Sequence, residues 1–208
     1  MEEPNEATSR YKLSFTNGGL LVREAEILAS LYLQNRDWQV VRNTALERNV
    51  LQARAESSNK RVLREILPRL AVLNDVELEF LVEASPTERR QLMWVAACRR
   101  YELLGEFAEE VVRERFLLMT PGLNTDDFDR FIAGKTLWHP ELEELKDSTR
   151  TKLRRNALLM LQQAELLSEQ GDIIPVMLSE RIIDLFYAGE QSDVRFLPTS
   201  LPADRNLR

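Results

Sequence analysis

Ser58-Asn59-Lys60-Arg61-Val62-Leu63-Arg64 and, 90 residues further on, Ser148-Thr149-Arg150-Thr151-Lys152-Leu153-Arg154 are two versions of one pattern. In both, a hydroxylic residue precedes cations and a leucine at helical spacing, so the match Ser58/Ser148, Lys60/Arg150, Leu63/Leu153, Arg64/Arg154 predicts two capped helices with basic first turns. The same offset relates Asp37-Trp38 with Val41 to Asp127-Phe128 with Phe131. It also relates Leu21-Val22-Arg23-Glu24 with Ile27-Leu28 to Val111-Val112-Arg113-Glu114 with Leu117-Leu118. Three blocks in one register predict two copies of a helical unit. The expected organisation is an N-terminal arm over residues 1–15, a helical unit over 16–104, a second over 105–190, and a partly disordered tail over 191–208.

Composition agrees with a helical reading. Of 208 residues, 44% are hydrophobic and 30% charged, and only 7 glycines and 8 prolines interrupt the pattern, so long helices have room to form. The lone cysteine, Cys98, rules out an internal disulfide and sits in the apolar run Leu92-Met93-Trp94-Val95-Ala96-Ala97, where burial is expected. The acidic start Met1-Glu2-Glu3 carries no apolar leader, and no uncharged apolar run approaches the ~18 residues of a membrane span. A cytoplasmic protein with no membrane association is expected.

Apolar spacing predicts helices over residues 20–35, 37–48, from Ser57 or Ser58 onward, 75–83, 86–104, 107–119, 126–132, 140–145, 148–167 and 179–187. Asp37 and Ser85-Pro86-Thr87-Glu88 read as N-terminal caps. The third helix has a core stripe of Val62, Leu63, Ile66, Leu70 and Leu73, with Pro68 predicting a kink or an early end. Tyr11 to Phe15 reads as a short strand or ordered lead-in, and Thr16-Asn17-Gly18-Gly19 as a turn. Ser168-Glu169-Gln170-Gly171-Asp172-Ile173-Ile174-Pro175 reads as a tight turn and a short strand, the place of a β-wing. The fold class expected is therefore all-α with short strands, built from two units of winged helix-turn-helix-like character.

The net charge of −6 argues against a uniformly basic protein, but the distribution is uneven. Residues 42–70 hold seven cations against three carboxylates and residues 146–155 hold five against one, which leaves −14 for the remainder. A helix N-terminus offers free N–H groups and partial positive charge, and Lys or Arg there adds phosphate contacts, the arrangement by which helix-turn-helix proteins hold nucleic acid. The candidate contacts are Arg54, Lys60, Arg61 and Arg64 in the first unit and Lys146, Arg150, Lys152, Arg154 and Arg155 in the second. The plainer alternative is that these charges only solvate helix faces. That alternative is preferred for the Arg89-Arg90 and Arg99-Arg100 pairs, which have acidic neighbours.

Catalysis finds little support. His139, the single histidine, lies between Trp138 and Pro140 as a packing residue at a helix entry. Asp126-Asp127-Phe128-Asp129 lacks the glycine and terminal glutamate of a calcium loop and reads as a helix cap. No glycine-rich phosphate loop and no metal-ligand set is present, and no cofactor is expected.

The stretch Tyr11 to Ala29 resembles the opening of the BrxA family, a component of bacterial BREX bacteriophage-exclusion systems. The resemblance continues through Lys60-Arg61-Val62-Leu63-Arg64-Glu65, Cys98-Arg99-Arg100-Tyr101, Gly105-Glu106-Phe107, Trp138-His139-Pro140-Glu141-Leu142 and Thr149-Arg150-Thr151-Lys152-Leu153-Arg154. It implies a cytosolic helical protein, in part similar to the antitermination factor NusB, that binds double-stranded DNA and acts with other BREX proteins. Pro68 and the acidic Asp75-Val76-Glu77-Leu78-Glu79 depart from a wing in the first unit. The function expected is a non-enzymatic DNA-binding accessory of phage defence. A protein assembly scaffold and a NusB-like RNA-binding role are the alternatives.

Overall fold

The run Leu92 to Cys98 has no polar face, and a helix that is apolar all round must be covered on every side. In the computed structural model, which describes residues 10–15, 19–120, 122–189 and 192–203, this run is the middle of α5 (Pro86–Arg100), and its seven side chains are at most 2% exposed. Ser85 caps the helix reciprocally with Glu88, and Pro86 occupies its first position, as the sequence predicts. The predicted span to residue 104 is broken at Tyr101, where an extended backbone separates α5 from α6 (Glu102–Phe107).

Before α5 the chain forms α1 (Val22–Asn35), α2 (Trp38–Glu47), α3 (Glu56–Leu70) and α4 (Asp75–Glu83). Asp37 caps α2 by accepting from the N–H groups of Gln39 and Val40 at 2.6 and 3.3 Å. In α3 the expected serine cap is absent. The helix starts one residue before Ser57 with Ala55 at its cap position, so Ser57 and Ser58 lie inside the first turn with their hydroxyls free of capping. Leu63, Ile66, Leu70 and Leu73 are buried as the stripe requires. Pro68 ends the helix rather than kinking it, with Leu70 its last residue.

After α5, α6 runs directly into a π-helical turn, Ala108–Arg113, and then α7 (Glu114–Leu117). α8 (Thr125–Lys135), α9 (Asp147–Gln163) and α10 (Glu180–Phe186) follow, with a short 3-10 turn at Pro140–Leu142 and another at Asp193–Phe196. The helix α8 opens with a capping box between Asn124 and Asp127, so the acidic run at 126–129 is a cap. Between α9 and α10 the chain turns back on itself, and Leu167 pairs antiparallel with Ile173 while Asp172 pairs with Gly122. Gly171 makes this hairpin possible. Its φ is +93°, and a Cβ there would stand 2.6 Å from the Leu123 carbonyl oxygen. The fold is thus mainly helical, and these two bridges are the only isolated β pairings among the described residues.

Residues 192–203 of the tail are built into the core, with Val194, Phe196 and Leu197 at most 4% exposed. Side chains from α5 and from the π-helical turn hold them. Trp94 of α5 donates its indole N–H to the Phe196 carbonyl at 2.8 Å. Arg113, 6% exposed, donates to the carbonyls of Val194, Leu197, Thr199 and Leu201. Arg113 stands in the π-helical turn, and it makes no ion pair among the described residues. Burial pushes the pKa of its guanidinium down from its usual value. The Val111-Val112-Arg113-Glu114 block therefore does not repeat Leu21-Val22-Arg23-Glu24, because Arg23 is exposed at the start of α1 whereas Arg113 is a buried clamp near the end of a helical rod. The residues Thr16, Asn17 and Gly18 of the expected turn lie outside the described residues, as does most of the N-terminal arm.

The lead-in from Arg10 to Phe15 forms no strand. It lies along α9 instead. The Tyr11 N–H donates to Glu141 at 2.9 Å, Asn156 donates to the Phe15 carbonyl at 3.0 Å, and Gln163 accepts from the Leu20 N–H. The Tyr11 ring stacks on His139 with centroids 3.7 Å apart, and its hydroxyl donates to Glu106 at 2.7 Å. Burial, with Glu106 second, pushes the Tyr11 pKa well up. His139, 5% exposed, is a packing residue as its context suggests.

Two stability measurements check these contacts. Arg113→Met removes the side-chain donor from four carbonyl oxygens, of which those of Val194 and Leu197 also accept from the Leu197 and Thr199 N–H groups, and should cost about 2–4 kcal/mol in urea denaturation. For Glu141, burial raises the carboxyl pKa, but hydrogen bonds from the Tyr11 and Glu141 N–H groups and from His139 outweigh it and hold the group below the usual carboxylate range. A carboxyl lowered on folding contributes stability that is present above its unfolded value of about 4.3 and is lost as pH falls through its folded value. Wild type should therefore lose more stability than Glu141→Gln between pH 6 and 3. Equal losses would contradict the bond from Tyr11.

Candidate nucleic-acid interface

The α2–α3 and α8–α9 pairs keep the offset of 90 residues to within one residue at the start of the basic helix, Glu56 against Asp147. Leu63 and Leu153 are equivalent core residues, 1% and 0% exposed. With the apolar sides buried in this way, helical geometry turns the following cations toward solvent. The two helices differ in how many of those cations are free.

On α3, Arg61 and Arg64 are exposed and make no ion pair among the described residues. Together with Arg42 of α2, Lys60 and the hydroxyls of Ser57 and Ser58 they line an open groove whose lining holds no carboxylate. Lys60 pairs with Glu56 one turn back at 2.6 Å, but both side chains are more than half exposed, so the pair is weak and exchangeable. Arg54 is exposed in the loop before α3 and lies outside the groove lining. Arg42, Ser57 and Ser58 line this groove without being in the candidate set. The signal for Arg42 is present in the basic segment 42–70, but only packing of α2 against α3 brings it across.

On α9, the five candidates divide. Lys146, Lys152 and Arg155 are exposed and unpaired among the described residues, and Ser148 and Thr151 are exposed beside them. Arg154 is committed to Asp129 of α8, an ion pair with both side chains about one third exposed or less. Arg150 reaches back to the Leu142 carbonyl at 3.4 Å, and its Nε is buried. These two partly exposed arginines therefore also tie α9 to α8 and to the turn before it, which sets them apart from Lys146, Lys152 and Arg155. Arg155 borders a largely apolar groove with Leu158, Leu159 and Thr125.

Arg89, Arg90 and Arg99 are ion-paired, with partners different from those nearest in sequence, whereas Arg100 has no ion pair among the described residues. Arg89 pairs with Glu26 at 2.6 Å and Arg90 with Glu165 at 3.2 Å. Arg99 joins Glu77 at 2.6 Å and also Asp193. Burial lowers the Arg99 pKa, but the two carboxylates outweigh it and raise the value overall. Cys98 is buried, which pushes its thiol pKa well up and makes it unreactive. Among the described residues no group of three or more His, Cys, Asp or Glu side chains is placed to hold a metal ion. No helix among them is long and apolar enough to cross a membrane.

Comparison with known proteins places this arrangement. The model of one protein family, BrxA, matches residues 9–188, nearly the whole of the described chain. The chain belongs to the BrxA family. Among curated relatives it is similar to the BREX protein BrxA of Escherichia coli O9:H4 (strain HS), with 30% identity over 150 residues, 71% of this chain and 69% of that one. It is similar also to the BREX protein BrxA of Paramagnetospirillum magneticum (strain ATCC 700264 / AMB-1), with 29% identity over 147 residues, 71% of this chain and 74% of that one. A crystal structure of an uncharacterized protein from Magnetospirillum magneticum superposes with a TM-score of 0.70 at 26% identity, covering 86% of this chain and 92% of the other.

The division of the α9 cations is open to measurement. Arg154→Ala should lower stability by about 1 kcal/mol, because it leaves Asp129 unpaired at a partly buried contact. Lys152→Ala and Arg155→Ala should stay within about 0.5 kcal/mol of wild type in the same denaturation assay.

Proposed function

We propose that the protein is a non-enzymatic, cytoplasmic component of a BREX phage-defence system that binds double-stranded DNA through α9 and through the α2–α3 groove. The observation that carries the reading is the exposed stripe of α9, where Ser148, Thr151, Lys152 and Arg155 stand together with Lys146 at the helix start and no carboxylate occupies the cations. These are the residue types that contact phosphate oxygens, and Arg can also read guanine edges. The order of elements around α9 supports it. A helical rod ends at Leu117, an extended residue at Gly122 precedes α8 and α9, and the hairpin closed by Leu167 and Ile173 follows. That is the order of a winged helix-turn-helix, with α9 as the recognition helix and the hairpin as its wing. The first unit has no such hairpin, since α4 occupies the corresponding position, so its groove contributes backbone contacts alone.

Membership of the BrxA family supports an accessory role alongside other BREX proteins. A scaffold role is the second reading, and it is favoured by Leu137 and Trp138, adjacent apolar residues that are 78% and 69% exposed. Large exposed aromatic residues are typical anchors of protein interfaces. A NusB-like RNA role rests on fold resemblance.

The first test is binding to a random-sequence duplex across a salt series. With about six phosphates neutralised, log K should fall with log salt at a slope near −5, from roughly −0.9 per contact. The double variant Lys152→Ala plus Arg155→Ala should reduce that slope by about 2, with a structured RNA competitor displacing the duplex poorly. No binding at low salt would sink the DNA reading. A complex with other BREX proteins that survives nuclease treatment would then favour the scaffold.

A further inference from the structure

Away from α9, a cavity of about 420 Å³ opens where the Arg10–Phe15 segment, the end of α5, the start of α6 and the C-terminal 3-10 turn meet. Its wall carries five cations, Arg10, Lys12, Arg99, Arg100 and Arg195, against Glu102, Glu106 and Glu109. Much of this charge is already engaged. Arg99 is held by Glu77 and Asp193. Glu106 accepts from the Tyr11 hydroxyl and pairs with Lys135. Glu109 faces Arg195 at 3.8 Å. What remains is Arg100 and Lys12, neither in an ion pair among the described residues, and Arg10, whose pair with Glu144 joins two side chains about three quarters exposed. Against these three stands one exposed carboxylate, Glu102.

The decisive feature is Arg100. The sequence assigns it to a neighbouring carboxylate, yet it has none, and its Nε is buried without a hydrogen-bond partner. A guanidinium held partly out of water with no ion pair is costly, and an oxyanion in the adjoining cavity would give the partly exposed Arg100 the partner it lacks. Arginine forks match phosphate geometry, and charge-assisted bonds of this kind are the strong ones. The volume suits a small ligand.

We infer that this cavity binds a phosphate-bearing anion of nucleotide size, with Arg100, Lys12 and Arg10 as its contacts. The source of the phosphate is either a free nucleotide or the terminal phosphate of a nucleic-acid strand. Since Arg10 and Lys12 belong to the N-terminal segment and Arg100 to the end of α5, occupancy fastens that segment to α5 and stabilises the folded state by mass action. The inference does not depend on duplex binding by α9.

The test is thermal unfolding of the full chain with pyrophosphate, ADP, and a single-stranded oligonucleotide with and without a 5′-phosphate, each against sodium chloride at equal ionic strength. A concentration-dependent rise in Tm is expected with ADP or with the 5′-phosphorylated strand, and which of the two acts identifies the source. Lys12→Gln, an exposed change that cannot unfold the protein, and Arg100→Gln should each weaken apparent affinity about tenfold. Lys152→Ala should leave it unchanged. No shift with any probe, or a shift that survives both Lys12→Gln and Arg100→Gln, overturns the proposal.

Discussion

Burial of α5 on every face is the constraint from which the rest of the structure follows. A helix whose middle is Leu-Met-Trp-Val-Ala-Ala-Cys cannot lie at a surface, because each buried large apolar side chain contributes about 1.5–3 kcal/mol and no stripe of polar residues offers a face for water. Something must therefore cover it all round. The helices before it supply part of that cover, α9 supplies another, and the C-terminal residues 192–203 close what is left by way of the Trp94 bond to the Phe196 carbonyl. Elements from both halves of the chain thus pack on one helix, and a change on one side of α5 is felt on the other.

Closing the core with irregular chain has a cost in unpaired carbonyls, and Arg113 meets it. One guanidinium serves four carbonyls of the C-terminal segment, a use for which its planar set of donors is suited. The π-helical turn that carries it inserts an extra residue into the rod between α6 and α7. The Arg99 bridge does a related task with charge. It ties Glu77 of α4 to Asp193 of the C-terminal 3-10 turn, so that the two halves of the cover are fixed to the end of the same helix.

What was legible in the sequence was whatever depends on neighbours along the chain. The caps at Asp37 and Ser85, the turn at Gly171 and the burial of Cys98 are local properties and are found where the pattern puts them, while the helices expected over 86–104 and 148–167 stop earlier, at Arg100 and Gln163. The fate of individual arginines is not local. Arg154 resembles Arg64 in context, yet Asp129 lies beside the first and no carboxylate pairs with the second. The tail shows the same limit. Its two prolines and its aspartates look like loop composition, and contacts from Arg113 and Trp94, about 80 and 100 residues earlier, build residues 192–203 into the core. The first repeat block shows the converse error, since a matching string of four residues can begin one helix and end another.

A consequence follows for how basic clusters are read. Counting cations along the sequence treats each as available, but an arginine already bonded to a partly buried carboxylate can be offered to phosphate only by breaking that bond, leaving a charge unpaired. On this ground α9 has three available cations rather than five. The α3 side gains one, because Arg42 joins from a neighbouring helix. The two faces are thus more nearly equal than the sequence suggests, although only the second is followed by a hairpin. If phosphate binding is shared in this way, charge on α3 adds affinity without orientation, whereas α9, held against α8 by Arg154 and Asp129, presents its cations from a fixed frame. Rigid presentation is what base readout requires, so any sequence preference should arise from α9.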